Sequence, residues 1–101
     1  LERLAASIAA RQSASADESY TAKLLSQGTE KCAKKFGEEA VELALAAVLK
    51  DKTHIASEAA DVFYHMLVLL QSSGVSLDDV MAVLRSREGT SGLVEKAARN
   101  G

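Results

Sequence analysis

The stretch from Lys34 to Leu49, "KKFGEEAVELALAAVL", sets three glutamates, Glu38, Glu39 and Glu42, against an unbroken apolar run from Leu43 to Leu49. At roughly 100° per residue the three carboxylates fall within an arc of about 100°, together with Lys31 and Lys35. The same arc continues as Leu45, Ala46 and Leu49. A solvated face would stay polar to the end of the helix, so this helix is read as entering a core, with the glutamates at its edge. A second stretch repeats the theme: Glu58 and Asp61, at i and i+3 on one side of a helix, precede "VFYHMLVLL".

Only the short polar link "KDKT" around Lys50 separates the two stretches, and so short a connection folds them into an antiparallel helical hairpin. Facing residues then have numbers with a constant sum. Glu39 with Asp61 and Glu42 with Glu58 share the same sum, which brings four carboxylates to one level. With axes roughly 8–10 Å apart and about 4.5 Å of rise between residues three apart, such side chains converge on a common ion. Repulsion and desolvation prevent so many carboxylates from all ionising in a partly buried site unless a cation joins them. An all-oxygen set suits a hard cation such as Mg²⁺, which shares its shell with phosphates and polarises phosphoryl oxygens.

Two competing readings stand beside this one. E-x-x-E with nearby lysines is also the pattern of a surface ion-pair network, but the matched E-x-x-D on the facing helix, in a common register, favours the metal site. His54, Glu58, Asp61 and His65 form a stripe at spacings of four, three and four, and Glu/His stripes in bundles hold di-iron centres. The E-x-x-H pair of such centres is missing here. Both histidines are read instead as helix-end or core residues, and Phe63 and Tyr64 as packing residues.

With 101 residues, 48% hydrophobic, the chain suits a single domain spanning 1–101. It has no proline and few aromatics, and it is rich in Ala, Leu, Glu and Lys, which predicts an all-α fold of four to five helices around the central hairpin. Leu1, Leu4, Ala5 and Ile8 mark a helix to about Gln12, and a polar loop follows to Ser19. A short helix from Tyr20 to Gln27 stops at Gly28. The hairpin helices run from about Thr29 to Leu49 and from about Lys52 to Ser73, with Asp51 or Thr53 as cap and Gly74 as stop. Ser76 and Asp79 resemble a capping box opening "LDDVMAVLRSR". Residues 88–101 form a tail, in which Leu93 to Asn100 is read as a last short helix or a frayed end.

A core of Ala, Leu and Val without tryptophan is thin for so small a bundle, so a homodimer or higher homo-oligomer is expected to complete it. The net charge of -2 and a pI near 5.7 argue against nucleic-acid binding by bulk electrostatics. Cys32, the single cysteine, permits neither an internal disulfide nor a zinc cluster and fits a reducing cytoplasm. The longest apolar runs fall short of a membrane span, and no leader pattern opens the chain. A start at Leu1 rather than methionine suggests a few further residues upstream.

The motifs "SYTAKLL" with Gly28 and Lys31, "KKFGEEAVE", and "EAADVFYHMLVLL" with Gly74 follow one another in order between Ser19 and Arg87. Together they resemble the phosphoribosyl-ATP pyrophosphatase family of histidine biosynthesis. That family belongs to the MazG-like all-α nucleotide pyrophosphatases, whose signature is E-E-x-x-E followed by E-x-x-D. The resemblance implies Mg²⁺-dependent hydrolysis of the α–β phosphoanhydride of phosphoribosyl-ATP to phosphoribosyl-AMP and pyrophosphate, in a helical dimer or higher oligomer. Carried over by position, the signature falls on Glu38, Glu39, Glu42, Glu58 and Asp61. Glu39, Glu42, Glu58 and Asp61 are read as metal ligands. Glu38, turned away by the helical step, is assigned to a second ion or to orienting the attacking water.

Phosphate groups need cations as well as metal as the bond breaks, and Lys23, Lys31, Lys35 and Arg87 are the candidates. Gly37 inside a helix costs about 1 kcal/mol relative to alanine, so close approach of another backbone or of substrate is expected there. With one cysteine the chain cannot include the cyclohydrolase domain to which some relatives are fused. The tail "TSGLVEKAARNG" matches the motif set poorly and receives no catalytic role. Two alternatives remain: a house-cleaning hydrolase of other nucleoside triphosphates, and a non-catalytic dimerisation or nucleotide-sensing module whose acidic hairpin binds an ion only as a staple.

Overall fold

The computed structural model describes residues 1–16 and 19–89, in which five helices follow in chain order: α1 (Glu2–Arg11), α2 (Tyr20–Ser26), α3 (Thr29–Leu49), α4 (Lys52–Ser73) and α5 (Leu77–Ser86). No strand occurs among the described residues, so the all-α expectation holds. The expectation for Leu93 to Asn100 lies outside them.

The helix ends follow their local chemistry. Ser19 caps α2 by accepting the Ala22 N–H at 3.2 Å. Of the two caps proposed for α4 it is Asp51 that serves, its Oδ1 accepting the His54 N–H at 3.2 Å. Ser76 and Asp79 form both bonds of a capping box, each 3.0 Å long. A cap of this kind contributes about 1 kcal/mol by pairing a backbone N–H that the helix leaves without a partner.

Between α3 and α4 the link is only Lys50 and Asp51, and Lys50 takes the left-handed conformation, φ 59° and ψ 28°, to reverse the chain. At the other end of the pair Thr29 Oγ1 and Ser72 Oγ share a hydrogen bond of 2.7 Å, which closes the antiparallel hairpin. Among the described residues the interface of α3 with α4 is the most extensive.

Helices α1 and α2 cover one end of that hairpin. Ile8 of α1, Leu24 of α2, Cys32 of α3 and Leu67 and Val68 of α4 are buried in a single cluster. Cys32 packs as a small hydrophobe there, donating its S–H to the Leu24 carbonyl at 3.4 Å. Fully burying each leucine or isoleucine contributes about 1.5–3 kcal/mol. Polar ties fix the covering helices: Thr21 Oγ1 and Tyr64 Oη share a hydrogen bond of 2.5 Å, and Gln71 donates to Gln12 at the end of α1.

The loop end of the hairpin differs from expectation. The run from Leu43 to Leu49 was expected to enter a core, yet within this chain only Ala46 of that run is buried. Leu45 is 59% exposed, and Val48 and Leu49 are each 75% exposed. The physical reason is coverage, because α1 and α2 close over the N-terminal half of α3 and the C-terminal half of α4 and leave the loop end bare. Helix α5 is amphipathic but contributes no buried residue, with Met81, Val83 and Leu84 all exposed.

Candidate metal centre

The acidic cluster lies midway along the hairpin, between the covered end and the bare one. Glu39 from α3 meets Glu58 and Asp61 from α4, each offering a carboxylate oxygen within 4.8 Å of the others. The i, i+3 step on α4 sets its two carboxylates on one side, and the antiparallel register brings Glu39 opposite. Among the described residues this is the group able to share a metal ion, and all its donors are oxygens. Such a donor set fits a hard divalent cation.

Glu42 stands just outside this group. Four carboxylates were expected at one level; three converge, and Glu42 acts on Glu39 through its charge. Glu42 itself is exposed, so its helical step carries it toward solvent.

The electrostatics report an uncompensated cluster. Burial first, then the charges of Glu42 and Asp61, a hydrogen bond to Glu42 and the charge of Glu58 raise the Glu39 pKa above the ordinary carboxylate value. Glu58 has one occupied and one orphaned oxygen. Its Oε1 accepts from His54 Nε2 at 3.1 Å, while its Oε2 is buried with no hydrogen-bond partner. A buried carboxylate oxygen without a donor is costly unless something positive completes it.

Glu38, one helical step from Glu39, is not part of the group and pairs with Lys35 Nζ at 3.7 Å. Lys35 and Lys31 are half-buried on α3. Lys23 is exposed on α2, the helix that Thr21 ties to Tyr64, three residues beyond Asp61. Arg87 is the C-cap residue of α5 and is exposed. The part of α4 beyond Asp61 spans about 18 Å, and α5 then leaves at a bend of 105°.

The two histidines take the roles expected of them rather than those of di-iron ligands. His54 bonds to Glu58, and His65 is buried in the core against Tyr64, edge to face with ring centroids 5.0 Å apart. Burial and then the charge of Lys35 lower the His65 pKa, against the opposing charges of Asp61 and Glu38, so it is neutral near pH 7. Gly37 has open space where a Cβ would stand, so none of the described residues approaches closely there. Sequence reasoning left His54 without a part in the site. The signal was its position four residues before Glu58, on the same helical side.

The phosphoribosyl-ATP pyrophosphohydrolase family model matches residues 1–88. The chain is 62% identical to the phosphoribosyl-ATP pyrophosphatase of Cereibacter sphaeroides over 98% of its own length and 96% of the relative's. It is 58% identical to that of Dinoroseobacter shibae, covering 98% and 97%, and 57% identical to that of Rhodobacter capsulatus, covering 98% and 96%.

Proposed function

The chain belongs to the phosphoribosyl-ATP pyrophosphohydrolase family, and from that premise we propose that it hydrolyses the α–β phosphoanhydride of phosphoribosyl-ATP, releasing phosphoribosyl-AMP and pyrophosphate. The observation that carries the reading is the convergence of Glu39, Glu58 and Asp61 within 4.8 Å, beside a buried Glu58 oxygen with no partner. These residues would hold a divalent cation, Mg²⁺ in this reading, which when bound supplies charge neutralisation for the phosphates and an activated water.

The chain's own residues do the rest. Glu39, Glu58 and Asp61 would fix where the cation sits, because their oxygens are carried on two helices tied at both ends of the hairpin. Glu42, whose charge acts on Glu39, would tune the affinity of that carboxyl for the cation. Glu38, one step outside the cluster, would serve to orient the attacking water and accept its proton in this reading. Lys35, Lys31 and Lys23 offer positive charge to the phosphates, and Arg87 fits that role from a second copy of the chain rather than from its own.

A second copy has a surface to bind. The bare loop end of the hairpin exposes Val41, Leu45, Val48 and Leu49, apolar surface of the kind that association covers. A homodimer in the cytoplasm completes the reading. No single helix among the described residues is long and apolar enough to cross a membrane.

The test is direct: purified protein is incubated with phosphoribosyl-ATP, ATP and dUTP, with and without Mg²⁺, and pyrophosphate is measured. Metal-dependent release is expected, fastest from phosphoribosyl-ATP. Faster turnover of dUTP would replace the substrate assignment with the house-cleaning one. No release from any of the three would leave the non-catalytic module.

A further inference from the structure

His54 lies in the first turn of α4, where its backbone N–H is held by Asp51 Oδ1 at 3.2 Å. Its side chain reaches one turn along the helix, and Nε2–H donates to Glu58 Oε1 at 3.1 Å. The two side chains differ in environment: His54 is 52% exposed and Glu58 only 13%. The bond therefore arrives from the solvent side, and the oxygen it leaves over, Oε2, is buried and unpartnered.

A glutamate side chain has three rotatable torsions, and its carboxylate can turn outward to water or exchange its two oxygens. Holding Oε1 removes both freedoms. Oε2 is then the oxygen left without a partner, on a residue that offers one carboxylate oxygen to the group with Glu39 and Asp61. Ligating carboxylates are commonly fixed by hydrogen bonds from residues that do not touch the metal, and such bonds control affinity as well as orientation.

We propose that His54 is a positioning residue: through its hydrogen bond to Oε1, anchored by the Asp51 cap, it presents Glu58 Oε2 to the metal. This rests on the reading of Glu39, Glu58 and Asp61 as a metal centre. An i, i+4 pair that served only the helix would leave metal affinity unmoved, whereas a positioning bond transmits its loss to the ion.

The experiment titrates Mn²⁺, as a paramagnetic probe, into the full chain and follows free ion by electron paramagnetic resonance for wild type, His54→Ala and His54→Gln. Helical circular dichroism is recorded alongside for all three. Loss of the donor in His54→Ala is expected to weaken Mn²⁺ binding about tenfold or more, and His54→Gln, which keeps an N–H donor, to stay within about threefold of wild type. Unchanged Mn²⁺ affinity in His54→Ala would overturn the role of His54 alone. So would a His54→Gln variant as weak as His54→Ala. A wild-type chain that binds no Mn²⁺ would overturn the metal centre itself, and this inference with it.

Discussion

Glu39 of α3 and Asp61 of α4 hold carboxylate oxygens within 4.8 Å of one another across the hairpin, and the charge of Asp61 is among those that raise the Glu39 pKa. A folded-state pKa above the ordinary 4.5 means that the folded chain holds this proton more tightly than the unfolded one does. The stability it contributes is full below that ordinary value and is lost as pH rises through the folded value. His65 acts in the opposite sense, because its lowered pKa costs stability as pH falls below its ordinary 6.5.

Without metal, thermal denaturation of Glu39→Gln is therefore expected to gain on wild type as pH rises from 4 toward neutrality. A saturating divalent cation should reverse the order at pH 8, stabilising wild type by about 2.7 kcal/mol at a hundred times Kd. Protons compete with metal for the same oxygens, so the metal effect should vanish near pH 4. Equal metal stabilisation at pH 4 and pH 8 would refute the linkage.

Because Glu42 stands outside the converging three, the carboxylates of the signature should not be equivalent in function. Glu58→Gln and Asp61→Asn are expected to lower the rate of pyrophosphate release by about a hundredfold or more, the scale of losing one preorganised electrostatic group. Glu42→Gln should keep a larger share of the rate, acting through Glu39 rather than on the ion. Steady-state kinetics with matched helical circular dichroism make the comparison, and a Glu42→Gln loss as deep as that of Asp61→Asn would put Glu42 among the ligands.

Leu45, 59% exposed midway along the bare face of α3, tests the association of copies. A charge there cannot be buried without a partner, so Leu45→Glu is expected to shift the protein from dimer to monomer in sedimentation velocity. The helices of one chain should survive, since Leu45 lies outside the buried cluster. Identical sedimentation of variant and wild type would move the interface elsewhere.

Lys50 reverses the chain at φ 59°, a conformation that costs a side-chain-bearing residue about 1–2 kcal/mol. Glycine has no such cost, and part of the gain is returned as unfolded-state entropy. Lys50→Gly is expected to stabilise the hairpin by about 1 kcal/mol, raising Tm by roughly 4–8 °C. A lowered Tm would show that the lysine side chain contributes something the backbone argument omits.

What the sequence by itself determined is local and periodic. Ser76 with Asp79, Asp51 with the His54 N–H, and Gly74 mark helix ends through bonds spanning only a few residues, so their chemistry is legible in order along the chain. The short link at Lys50 dictated the hairpin, and the hairpin dictated that Glu39 would face Asp61. Tertiary structure decided the rest. Periodicity says which residues share a side of a helix, but the rotation of that helix and the neighbours that cover it depend on contacts between distant segments. That is why Glu42 stays exposed while Glu39 joins Glu58 and Asp61. Leu45 and Leu49 stay bare for the same reason: α1 and α2 close over the opposite end of the hairpin, held there by Thr21 on Tyr64 and Gln71 on Gln12.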